Sequence, residues 1–200
     1  MTRFLLIRHG TTAAVGQRLS GRAGGVPLND KGRRDVEALT KELATFPISH
    51  IYSSPMERAL QTAEPLGRLM GSQVIPHEAL NEIDFGDWTG RTFEQLSVQT
   101  EFQRFNTFRS CAQAPGGESM QEAQTRITRA LQALALKHPN ELVAVISHSD
   151  IIKAAVAYYA GIHLDLFHRI EISPASVSII ELGDERVHIH LVNYTGGIEI

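Results

Sequence analysis

Phe4-Leu5-Leu6-Ile7-Arg8-His9-Gly10 sets four apolar residues against a cation, an imidazole and a glycine. An apolar run this short, with turn chemistry close behind it, is the pattern of a strand buried on both faces. Leu142–Ser147 (LVAVIS) repeats the pattern more strongly, and residues 50–53 and 73–75 repeat it weakly.

Between these runs the apolar spacing turns helical. Val36, Leu39 and Leu43 recur at helical intervals within 30–46, with Asp30 placed to cap the N-terminus. Residues 55–70 predict a second helix, which Pro65 should kink or interrupt. Thr92 to Gln95 has capping-box form and opens a helix carrying Phe93 and Leu96. Met120, Ala123, Ile127, Ala130 and Leu134 define a longer stripe that ends near Pro139, and Asp150 is placed to cap a helix running to Gly161. Residues 176–182 and 187–192 alternate around Gly183-Asp184, a hairpin signal. Strands alternating with helices predict a three-layer α/β/α sandwich. Its central sheet would be mostly parallel, with helices on both faces and an antiparallel C-terminal edge hairpin. Two hundred residues suit one such domain, spanning 1–200.

Composition narrows the function classes. A formal charge of −3 gives no clustered basic face for nucleic acid, so an anionic ligand must be drawn in locally by a few arginines. Cys111 is the only cysteine, which excludes an intrachain disulfide and a Cys-rich metal site. His188 and His190 share a strand face but lack an evident third ligand, so no metal and no cofactor are expected there. The run after Met1-Thr2-Arg3 is too short for a signal peptide or a membrane span, and a cytoplasmic protein without membrane contact is expected.

In open α/β sheets, ligands sit beyond the carboxyl ends of the strands. The residues there are Arg8-His9-Gly10, Ser54-Pro55 with Arg58 one turn on, and His148-Ser149-Asp150. Phosphoryl transfer through an enzyme nucleophile needs a nucleophile, cations around the phosphate and a proton donor for the leaving oxygen. A neutral imidazole supplies the first near pH 7, and arginine forks supply the second. Glu82, in the loop-like stretch 80–86, is the candidate proton donor, with Asp84 ranked behind it. Taken singly, each has a plainer reading: a strand-ending charge pair, a surface arginine, a hydrogen-bonded core histidine, a solvated carboxylate.

The ordered blocks Leu6-Ile7-Arg8-His9-Gly10-Thr11-Thr12, Tyr52-Ser53-Ser54-Pro55 with Arg58-Ala59-Leu60-Gln61-Thr62-Ala63, Leu80-Asn81-Glu82 through Gly90, Pro115 to Ser119, and Val145-Ile146-Ser147-His148 carry a resemblance. The chain resembles the histidine phosphatase superfamily, the phosphoglycerate mutase-like proteins, in its broad-specificity phosphatase-type branch. The resemblance implies that His9 becomes phosphorylated and that Arg8, Arg58 and His148 bind the phosphoryl oxygens. It further implies that Glu82 acts as general acid and then base, and that no metal is needed. A phosphatase acting on a small phosphorylated metabolite is expected. The alternatives are a phosphomutase, which would need extra lid structure, and a non-catalytic phospholigand-binding protein, which would be expected to lose His9 or Glu82.

Further substrate contacts are expected from Thr12 and from the glycine-rich loop through Ser20, Gly21 and Arg22. Ser149 would add a hydroxyl or backbone donor, whereas Asp150 is read as a helix cap and Lys153 as solvated. Val15 stands where the family often has asparagine, a change read as altered substrate handling. Substrate choice is assigned to 20–27 and 91–115. The edge hairpin could pair with a second copy to make a homodimer.

Overall fold

The computed structural model describes residues 1–196. In chain order its elements are β1 (Thr2–Arg8), α1 (Asp30–Leu43), β2 (Ile48–Ser53), α2 (Glu57–Met70), β3 (Val74–Pro76), α3 (Phe93–Ser97), α4 (Thr100–Thr107), α5 (Met120–Lys137), β4 (Leu142–Ser147), α6 (Ser149–Ala160), β5 (Val177–Leu182) and β6 (Val187–Tyr194). The strands form a mixed sheet in the order β3-β2-β4-β1-β5-β6. The first four run parallel, and the C-terminal hairpin joins antiparallel through β5. This is the α/β sandwich that the alternating pattern predicts.

Side chains alternate across the sheet, and both faces are apolar. Leu5, Ile7, Ala144 and Ile146 face Val36 and Leu39 of α1 and Leu66 of α2. Phe4, Leu6, Val143 and Val145 face Ile127 and Leu131 of α5 and Ile151 and Ala155 of α6. Each Leu, Ile, Val or Phe among them, fully buried, contributes about 1.5–3 kcal/mol. That explains why α2 runs unbroken through Pro65, contrary to the expected interruption. The proline costs about 3 kcal/mol, while Ala59, Thr62 and Ala63 before it and Leu66 and Gly67 after it hold both halves on the sheet.

Two caps differ from expectation. Asn29, not Asp30, caps α1: its Oδ1 accepts from Gly32 N at 2.8 Å, leaving Asp30 in the first turn, where a negative charge suits the helix dipole. At α6 the cap position belongs to His148, and Asp150 lies inside the first turn with its carboxylate turned to Arg109. The capping boxes at Thr92/Gln95 and Ser119/Glu122 form as their sequences indicate. No helix among the described residues is long and apolar enough to cross a membrane.

The topology decides where chemistry can occur. Strands β2, β4 and β1 are neighbours, and Arg8 lies level with Ser147. Their carboxyl ends therefore deliver His9, Ser54 and His148 to one spot, although 94 positions separate Ser54 from His148 and His9 lies further off still.

Candidate active site

Gly10 lets the chain turn sharply off β1. A Cβ there would meet the Gly32 carbonyl oxygen at 2.8 Å and Val36 Cγ2 at 2.9 Å, so any other residue would push α1 away from the strand end. With α1 seated, His9 is held almost wholly buried. Its Nδ1 lies 2.7 Å from the Gly10 carbonyl oxygen, which places the ring proton on Nδ1 and leaves the Nε2 lone pair free. Nε2 accepts from Arg58 Nε at 3.2 Å. Burial first, and then the Arg58 cation, push the His9 pKa down to about 3, so the imidazole is neutral.

Arg58, in the first turn of α2, is the hub of the site. Its Nη2 donates to the Gly21 carbonyl at 2.8 Å and lies 3.2 Å from His148 Nδ1. That second contact makes His148 Nδ1 an acceptor, so its proton sits on Nε2 and is donated to Ser54 Oγ at 2.8 Å; Ser54 in turn donates to Asn81 Oδ1 at 3.1 Å. His148 is fully buried, and burial with Arg58 beside it holds the imidazole well below its ordinary value. The two imidazole rings meet edge-on, with centroids 5.1 Å apart.

Two guanidinium nitrogens, Arg8 Nε and Arg58 Nη1, are shut off from solvent and have no hydrogen-bond partner among the described residues. Buried donors without partners are costly. Both residues line the same cleft, so an oxyanion there would satisfy them. Arg8 is steadied by a bond from Nη1 to the Ile172 carbonyl at 2.6 Å.

Glu82 completes the group. Its Oε1 accepts from Ile83 N at 3.0 Å and its Oε2 stands 3.8 Å from His148 Nδ1. Burial, reinforced by the Asp150 charge, raises its pKa to about 7, so a proton is available near neutrality. The Glu82 backbone is clamped as well. Arg22 Nε and Arg126 Nη2 both donate to its carbonyl, at 2.9 and 3.1 Å, and Glu118 grips both arginines.

The cleft has a volume of about 300 Å³, suited to a small metabolite. Thr12, Ser20, Gly21 and Ser149 line it with Arg8, His9, Arg58 and Glu82. Arg22 does not; it is bound to the Glu82 loop and to Glu118. Asp84 also lies outside, accepting from Gly86 N at 3.0 Å and standing 3.8 Å from Arg22. Glu118 does not cap α5: Ser119 takes that position.

Several lining residues escaped the sequence reading. Lys153, read as solvated, is buried along the cleft with its Nζ 5.8 Å from the Phe167 ring centroid. Arg109 lies between the Phe105 and Phe167 rings, at 4.4 and 4.8 Å, and pairs with Asp150 at 3.3 Å. Arg18 and His168 also line the cleft, with Val15, read as altering substrate handling, and with Phe93, Phe102 and Asn106 of the 91–115 stretch assigned to substrate choice. The signal for Lys153 is its place one turn after His148-Ser149-Asp150; Arg109 lies in 91–115, the stretch assigned to substrate choice, where no periodicity singles it out. Cys111 is exposed and away from the cleft's lining.

Comparison with known proteins identifies the family and the fold. A family model for the histidine phosphatase superfamily (branch 1) matches residues 4–195. A bifunctional protein of Mycobacterium tuberculosis is 33% identical over 98% of the chain, which spans about half, 54%, of that relative's length. Phosphoserine phosphatase 1 of Hydrogenobacter thermophilus is 28% identical, with 98% of this chain and 93% of that one covered. Among solved structures, YhfR of Bacillus stearothermophilus superposes with a TM-score of 0.90 at 30% identity, covering 96% of each chain.

Proposed function

The chain belongs to the histidine phosphatase superfamily (branch 1), and on that premise we propose that it hydrolyses a small phosphorylated metabolite through a phosphohistidine on His9, with no metal ion in the chemistry. One observation carries the reading: Arg58 reaches both buried imidazoles at 3.2 Å while a protonatable carboxyl stands beside them. A binding protein would need the arginines but not a neutral imidazole opposite a carboxyl group that still holds its proton near pH 7.

In the proposed reaction the phosphate dianion settles on Arg8, Arg58, His148 and the first-turn amides of α6, and Arg58 Nε yields the His9 lone pair to phosphorus. His9 Nε2 attacks, the ester P–O bond breaks, and the Glu82 proton passes to the leaving oxygen. Water then attacks the phosphorus, Glu82 carboxylate takes the water's proton, and the N–P bond breaks to release inorganic phosphate and neutral His9. The dianion raises the proton affinity of His148, which takes up one proton from solvent on Nδ1 as substrate binds and donates it as a hydrogen bond to a phosphoryl oxygen. Thr12, Ser20, Gly21 and Ser149 contact the substrate at the near wall, and Lys153 and Arg109 face its non-phosphate part. Arg22, expected to touch substrate, instead fixes the Glu82 loop.

A screen of phosphorylated metabolites in the presence of EDTA, run beside His9→Ala, tests the proposal. Turnover by the wild type with acid-labile phosphate trapped on His9 is expected. Activity that survives His9→Ala, or that vanishes with EDTA, overturns it. Phosphoglycerate mutase-like proteins also stand among the relatives. Isomerised product on adding a diphosphorylated primer would identify a mutase, whereas inorganic phosphate is expected.

A further inference from the structure

At the opposite end of the parallel strands, three side chains from three segments converge. His50 lies near the start of β2, His138 follows the last turn of α5, and Glu141 precedes β4. The turn between the last two is tight, with Asn140 in the left-handed region at φ 64°, and it folds Glu141 back beneath His138. The backbone around them is tied down: Thr2 Oγ1 donates to the His138 carbonyl at 2.7 Å, and Arg3 N donates to the Glu141 carbonyl at 2.9 Å.

The donor atoms face one another. Glu141 Oε2 lies 3.0 Å from His50 Nε2 and 3.5 Å from His138 Nδ1, and all three atoms lie within 4.8 Å of one another. Bonds of about 2.05 Å in a tetrahedron set neighbouring donors about 3.3 Å apart, close to the two distances from Glu141. Glu141 Oε2 is moreover shielded from solvent and accepts no hydrogen bond among the described residues, despite two ring nitrogens beside it. An ordinary His–Glu contact would align an N–H on that oxygen. The Glu141 carboxylate and His138 Nδ1 offer lone pairs there, and His50 Nε2 offers a third in its Nδ1-protonated tautomer.

The surroundings support the assignment. His138 Nε2 lies 2.9 Å from Tyr52 Oη, and Lys137 Nζ donates to the same oxygen at 3.1 Å. With the His138 proton on Nε2, Tyr52 Oη accepts twice and Nδ1 keeps its lone pair, the outer hydrogen bond that a ligating histidine ordinarily makes. The His50 and His138 rings lie 4.0 Å apart, tilted toward each other.

We propose that His50, His138 and Glu141 form a binding site for a divalent transition-metal ion of the zinc class, with water in the fourth position, joining β2 to the α5–β4 turn. Two imidazoles and a carboxylate favour such an ion over calcium or magnesium, which prefer all-oxygen sites. The site lies about 20 Å from the phosphate cleft, the length of a six-residue strand, and is independent of the chemistry assigned there.

The test is titration of chelator-stripped full-length protein with Zn²⁺ against a chromophoric competitor, with Co²⁺ as the spectroscopic probe. One Zn²⁺ per chain is expected, with the intense visible absorption of four-coordinate Co²⁺ and a rise in Tm on adding Zn²⁺. His50→Ala, at a half-exposed strand position, and the isosteric Glu141→Gln should each weaken binding by about tenfold or more and abolish the Tm rise. Combined replacement of His188 and His190 by Ala, and saturation of the cleft with inorganic phosphate, should change neither. Substoichiometric binding, or equal affinity in wild type and His50→Ala, overturns the proposal.

Discussion

Arg58 Nε donates to His9 Nε2 across 3.2 Å, so the lone pair that would attack phosphorus is held by a guanidinium at rest. The contact keeps His9 neutral and aligned, and it must give way when substrate arrives. Replacing Arg58 with Ala removes both the guard and a phosphate donor. Its kcat should fall by about 10²–10³-fold, the loss expected for one preorganised donor. The His9 pKa should rise from about 3 toward its ordinary value, read by NMR titration of the ring nitrogens.

Glu82 sets the pH dependence. It must enter the first step protonated, so kcat/KM should decline as the pH rises through about 7, and Glu82→Gln should lose both the activity and that limb. Stability carries the same sign. The fold favours the protonated carboxyl, so its contribution is complete below the ordinary carboxylate range and is lost as the pH rises through about 7. Urea denaturation should show wild type losing ground to Glu82→Gln over that interval. His9 runs the other way: its contribution is present above the ordinary imidazole value and is lost as the pH falls through about 3.

Glu118 acts on the site only through its neighbours. It holds Arg126 Nε at 2.7 Å and Arg22 Nη2 at 3.2 Å, and both arginines hold the Glu82 carbonyl. Glu118→Ala should cost about 1.5–3 kcal/mol of stability, as for a lost hydrogen bond to a charged group. Because the Glu82 loop loosens, kcat should fall while KM changes little, and the basic limb of the pH profile should move toward the ordinary carboxylate range.

Arg109 is a buried cation whose charge is met by Asp150 at 3.3 Å. Arg109→Ala should cost about 3 kcal/mol, because it strands Asp150 and empties the slot between Phe105 and Phe167. Adding Asp150→Asn should recover part of that loss, and a double-mutant cycle in urea denaturation measures the coupling.

How much of this was legible depended on whether a residue's role is local. LVAVIS and FLLI declare buried strands because both faces are apolar, and the ordered motif blocks name His9, Arg58, Glu82 and His148. The sheet topology then explains their meeting. Reading failed where a local rule competed with a distant partner. Asp150 has the look of a cap, but a guanidinium 41 positions earlier claims it. Arg22 looks like a substrate cation in a glycine-rich loop, but Glu118 and the Glu82 carbonyl hold it. Pro65 breaks an isolated helix, yet burial on either side outweighs it here. His50 and His138 carried no motif at all, since only the adjacency of β2 and β4 unites them.

The Gly10 carbonyl, 2.7 Å from His9 Nδ1, also fixes regiochemistry. An adduct formed on this ring carries phosphorus on one nitrogen alone, with the other still bearing its proton against the backbone. The isomer recovered after rapid quenching, identified by its ³¹P chemical shift, therefore reports whether the backbone or the cation sets the direction of attack.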